Sequence, residues 1–114
     1  MPNDIFNVLE PLPQKLQHIY GDKLKAVILY GSYARGTANE ESDVDIAILV
    51  DGSDDELNSY DKSLTDVTAD FIAENQCKWL FSIIPIRFSR YNEWKDTLPF
   101  YKSIEKEGIP LYVS

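Results

Sequence analysis

The chain has one cysteine, one histidine and three arginines, and each scarcity removes a class of function. A lone Cys77 allows neither an internal disulfide nor a zinc site built on cysteines. His18 sits in a segment with helical spacing, where a solitary histidine reads as a surface or packing residue rather than a ligand or base. Arg35, Arg87 and Arg90 are the only arginines, and 11 basic residues face 19 acidic ones for a net charge of -8. Nucleic acid is held by neutralising its phosphates with basic side chains, so no nucleic acid polymer is expected as a ligand. No apolar run approaches the length of a membrane span, and Met1–Asp4 lacks the basic stretch that opens a signal peptide. The expectation is a cytoplasmic protein with no membrane contact. A length of 114 residues suits a single domain, 1–114, with no room for a second module around a substrate.

Hydrophobic periodicity divides the chain into alternating helices and strands. Ile5, Leu9, Leu12, Leu16 and Ile19 recur at helical steps broken by Pro11 and Pro13, predicting a short first turn and then a helix from near Pro13 to Gly21. Leu24–Tyr30 reads as a strand, and the small polar segment from Ser32 to Ser42 as one helical turn and a loop. Asp43–Val50 reads as a second strand. Its period of two puts Val44, Ile46, Ile48 and Val50 on one face and Asp43, Asp45, Ala47 and Leu49 on the other. Asp51–Asp54 forms a turn and cap, after which Leu57, Tyr60, Leu64, Val67 and Phe71 make a helical stripe with a solvated acidic far side. Trp79–Ile84 is a third strand, marked by Pro85 as lying near an end or an edge. Short helices around Tyr91–Lys95 and Leu98–Glu107 precede a short edge strand at 109–113. The fold class is therefore α/β or α+β, a small mixed sheet with helices packed on it.

The chemistry concentrates between the first two strands. Gly31 lets an anion approach the backbone, and Ser32 adds a hydroxyl and the free N–H groups of a helical turn. Asp43 and Asp45, with Cα atoms on the order of 6.5 Å apart on one strand face, can turn their oxygens to one cation. Magnesium is held by one or two carboxylates together with substrate phosphates, which matches this set. A calcium loop is excluded, because Ile48 stands where the sharp-turn glycine belongs. A P-loop is excluded because no lysine follows the Gly-Ser turn.

Gly31 and Ser32, ten intervening residues, and then Asp43-Val44-Asp45 resemble the active-site signature of the DNA polymerase β nucleotidyltransferase superfamily. The longer string from Gly31 to Gly36 and from Ser42 to Ala47 is most similar to the minimal single-domain branch, the MNT or MntA-like antitoxins that accompany HEPN toxins. The resemblance implies magnesium-dependent attack of a hydroxyl on the α-phosphate of ATP or another nucleoside triphosphate. In that branch AMP passes to a tyrosine of a HEPN-type toxin. Carried over by position, Gly31 and Ser32 hold the triphosphate and Asp43 and Asp45 hold magnesium; Arg35, the nearest cation to the turn, is expected to contact phosphate or partner. The family pattern also carries a third carboxylate on the strand after the long helix. Trp79–Ile86 has no Asp or Glu, and Ser82 is the corresponding position. That substitution motivates a second reading, a module of the same fold that neutralises its partner by binding alone.

Overall fold

The computed structural model describes residues 3–114 and places four strands in one mixed sheet of order β3-β2-β1-β4. Helices α1 (Asn3–Leu9) and α2 (Leu12–Tyr20) lead through a 3-10 turn at Gly21–Lys23 into β1 (Leu24–Tyr30). The predicted first turn is thus a full helix, and Pro13 falls in the opening turn of α2, where its missing N–H has no partner to lose. Helix α3 (Gly31–Arg35) connects to β2 (Val44–Val50), which pairs antiparallel with β1.

The stripe read as one helix is two, α4 (Asp54–Asn58) and α5 (Asp61–Glu74), separated at Ser59 and Tyr60. Ser53 starts α4 with a complete capping box: its hydroxyl accepts from the Glu56 N–H at 3.2 Å, and the Ser53 N–H donates to the Glu56 carboxylate at 3.0 Å. This helical crossover returns the chain in the same direction, so β3 (Phe81–Arg87) pairs parallel with β2. β3 is an edge strand, which accommodates Pro85 at its middle. Then α6 (Phe88–Trp94) and α7 (Pro99–Glu107) lead to β4 (Ile109–Val113), antiparallel to β1 on the other edge.

The two faces of β2 enter two cores. Val44, Ile46, Ile48 and Val50 pack with Ile5, Leu12, Leu16, Leu64 and Phe71 under α1, α2 and α5. Ala47 and Leu49 pack on the opposite face with Ala26, Ile86, Tyr91 and Ile104, under α6 and α7. That second layer is short. It seals Ala47 and Leu49 but leaves Asp45 half-buried and Asp43 exposed at the mouth of the strand. His18 is exposed on α2 and Cys77 is exposed after α5, both outside the cores. Among the described residues no helix is long and apolar enough to cross a membrane. Removing the cap with Ser53→Ala is expected to cost about 1 kcal/mol, read as a lower urea midpoint with an unchanged denaturant slope.

Candidate active site

The site is assembled by a tight connection between two neighbouring antiparallel strands. Tyr30 ends β1 opposite Asp45 in the register, and the chain turns at once into α3 through Gly31, whose φ is +75°. A Cβ at Gly31 would collide with the Asp45 carboxylate, so the absent side chain is what lets backbone and carboxylate share this space. Gly36 closes α3 in the left-handed region with φ +78°, and the Thr37 N–H returns to the Ser32 carbonyl at 2.9 Å. The loop is then folded on Asn39. Its carbonyl accepts from the Ser42 N–H at 3.1 Å, and its side-chain oxygen accepts from the Glu41 N–H at 2.8 Å. This turn delivers Asp43, and the Val44 N–H donates to the Leu80 carbonyl at 2.9 Å to begin the parallel pairing.

Register places three side chains in a row across one end of the sheet: Tyr30 on β1, Asp45 on β2 and Ser82 on β3. The next row, Ile28, Ala47 and Ile84, is apolar and marks where the site ends. Burial holds the Asp45 carboxyl above the usual aspartate range, the neighbouring Asp43 carboxylate pushes it the same way, and Arg35 opposes both. Tyr30 is likewise raised, by burial first and then by Asp45. Two carboxylates side by side without full compensation form a donor set suited to a small hard cation that brings anionic oxygens with it.

The structure therefore brings Gly31, Ser32, Asp43 and Asp45 together. Ser82, the position matched to a third carboxylate, lies directly beside Asp45. Among the described residues no three His, Cys, Asp or Glu side chains converge. Asp70 is exposed on α5, whose Phe71 packs into the opposite layer, so it does not complete the set. Arg35 is half-exposed and 3.6 Å from Glu107 at the end of α7, a contact that ties α3 to that helix. Sequence reasoning missed Tyr30 and Glu107. The period of β1 carried a signal for Tyr30, since Ile28 and Tyr30 share the face of Asp45 once the two strands pair. Glu107 had none, because its contact with Arg35 exists only after α7 folds back over β1.

Comparison with known proteins gives this geometry its family. The model of the nucleotidyltransferase domain family matches residues 9–110. The chain belongs to that family. A protein of Methanocaldococcus jannaschii, MJ1305, named as a protein adenylyltransferase, is 33% identical over 128 residues, covering 94% of this chain and 87% of its own. MJ0141 of the same organism, similarly named, is 49% identical over 47 residues, covering 41% of this chain and 48% of its own. A solved toxin–antitoxin complex with AMP-PNP aligns with a TM-score of 0.56 at 19% identity, over 92% of this chain and 73% of that one. A mutant MntA–HpeT toxin–antitoxin structure aligns with a TM-score of 0.57 at 18% identity over the same shares. These two structures show the same fold, and the sequence relatives make the chain a nucleotidyltransferase.

Two outcomes follow for this nucleotidyltransferase. Gly31→Ala places a side chain in the left-handed region and against Asp45, and is expected to lower stability by at least about 1–2 kcal/mol in urea unfolding. A carboxyl whose pKa is raised by folding destabilises the folded state when ionised. That destabilisation is present above the folded pKa and disappears as pH falls through it. Asp45→Asn in the ligand-free chain is therefore expected to raise the thermal midpoint at pH 7 and to leave little difference in acid.

Proposed function

We propose that the chain is a magnesium-dependent adenylyltransferase that moves AMP from ATP to a hydroxyl of a partner protein, in the manner of an MntA-like antitoxin acting on a HEPN-type toxin in the cytoplasm. The observation that carries this reading is the close approach of Gly31 to Asp45, which sets the Gly31–Ser32 turn directly beside the carboxylate pair. The protein adenylyltransferase names of the sequence relatives support a protein acceptor.

In this reading Ser32 and the unbonded N–H groups at the start of α3 bind the triphosphate, and Arg35, steadied by Glu107, adds charge beside it. Asp43 and Asp45 would hold magnesium, which when bound supplies charge stabilisation to the oxygens at phosphorus. Tyr30 stands beside Asp45 on the β1 side of the site. The acceptor oxygen forms a bond to the α-phosphorus, the bond from that phosphorus to pyrophosphate breaks, and the hydroxyl proton passes to solvent.

Ser82 favours a second reading. It offers a neutral hydroxyl beside Asp45 where the family pattern has an anion, so binding of the partner without transfer would also neutralise it.

Labelled ATP with magnesium and the product of any HEPN-type reading frame adjacent to this chain's own separates the two. Adenylyl transfer is expected to label the partner, to stop with a chelator, and to be abolished by Asp43→Asn with Asp45→Asn. A folded double variant that neutralises the partner as well as the wild type would overturn catalysis in favour of binding.

A further inference from the structure

The site has two flanks, and the sheet order makes them different. Gly31 and Ser32 lie on the β1 side of Asp45, and Ser82 lies on the β3 side. Phosphoryl and nucleotidyl transfers keep the attacking and leaving oxygens roughly in line across phosphorus. If the Gly31–Ser32 turn holds the leaving pyrophosphate, the attacking hydroxyl must arrive over β3.

Beyond Ser82 on that flank lies a cavity of about 430 Å³ lined by Ile84, Phe100 and Tyr101 together with Arg87, Arg90, Asp54 and Asp61. It begins two residues beyond Ser82 along the strand, on the order of 6.5 Å, about the reach of a tyrosyl side chain. Ile84 and Phe100 are 37% and 43% exposed, a pair of large apolar side chains without cover at the one place an acceptor must cross. Phe100 also stands edge-on to Tyr30, with ring centroids 5.5 Å apart, so this wall is continuous with the row that carries Asp45. Two of the three arginines of this acidic chain are here. Arg87 is committed, with its Nε donating to the Gly52 carbonyl at 3.2 Å and its guanidinium 3.6 Å from Asp54. Arg90 has no ion pair among the described residues and is exposed.

We propose that this cavity docks the acceptor polypeptide: an apolar side chain flanking the modified hydroxyl sits between Ile84 and Phe100, and a carboxylate of the same segment meets Arg90. The inference rests on the adenylyltransferase reading for its direction of approach, but its binding prediction does not require turnover.

The test uses the full chain, the product of any adjacent HEPN-type reading frame and a non-hydrolysable ATP analogue with magnesium, comparing wild type with Ile84→Thr, which keeps a β-branched strand residue, and with Arg90→Glu at an exposed position. Each variant is expected to weaken partner binding, and to raise the KM for partner in transfer, by about tenfold, with analogue affinity held within about twofold. Weakened analogue binding with unchanged partner affinity would make the cavity a nucleobase site and overturn the proposal. Unchanged affinity for both, or no partner affinity in the wild type, would overturn it as well. A wild type that binds the partner but transfers no label would sink the adenylyltransferase reading alone, with the partner affinities of the variants still deciding what the cavity holds.

Discussion

The half-burial of the Asp45 carboxylate, with Asp43 beside it, is the constraint around which the site is arranged. A half-buried carboxylate beside a second one is uncomfortable in a ligand-free protein, and Arg35 relieves only part of it. A fold tolerates such a pair when the strand carrying it is fixed by other means. Here β2 is the most buried element, with Val44, Ile46, Ile48 and Val50 sealed under one helical layer and Ala47 and Leu49 under the other. The surrounding apolar contacts hold the strand, and its charged end remains open.

The two helical layers divide this work unequally. The layer of α1, α2 and α5 supplies most of the burial and also seats α3 through Tyr33 and Ala34. The layer of α6 and α7 is thin, and it touches the site at both ends of α7: Phe100 against Tyr30 and Glu107 against Arg35. Most of the stabilising burial thus lies on the face of the sheet opposite Asp45.

Much of this was legible because β-strands have a period of two. The bounds of β1 and the separation of Asp43 and Asp45 from Val44, Ile46, Ile48 and Val50 follow from local alternation and agree with the structure. The start of β2 at Val44 rather than Asp43, the break at Ser59 and Tyr60, and the start of β3 at Phe81 rather than Trp79 depend on where backbone hydrogen bonds find partners. Residue patterns do not encode that directly. The place of Ser82 beside Asp45 depends on the parallel register set by the α4–α5 crossover. Its correspondence came from family resemblance, and its neighbour from the sheet. Glu107 and Phe100 belong to contacts between distant segments, which no periodicity reports.

The close approach of Gly31 to Asp45 also binds the histories of these two positions. A side chain at 31 meets both a backbone cost, set by φ, and a steric cost, set by the carboxylate across from it. Shortening residue 45 removes the second cost and leaves the first. Drift that begins at 31 is opposed twice while Asp45 stands, whereas drift that begins at 45 meets no such barrier and afterwards loosens 31. A side chain at 31 is therefore tolerated more readily after residue 45 has been shortened than before.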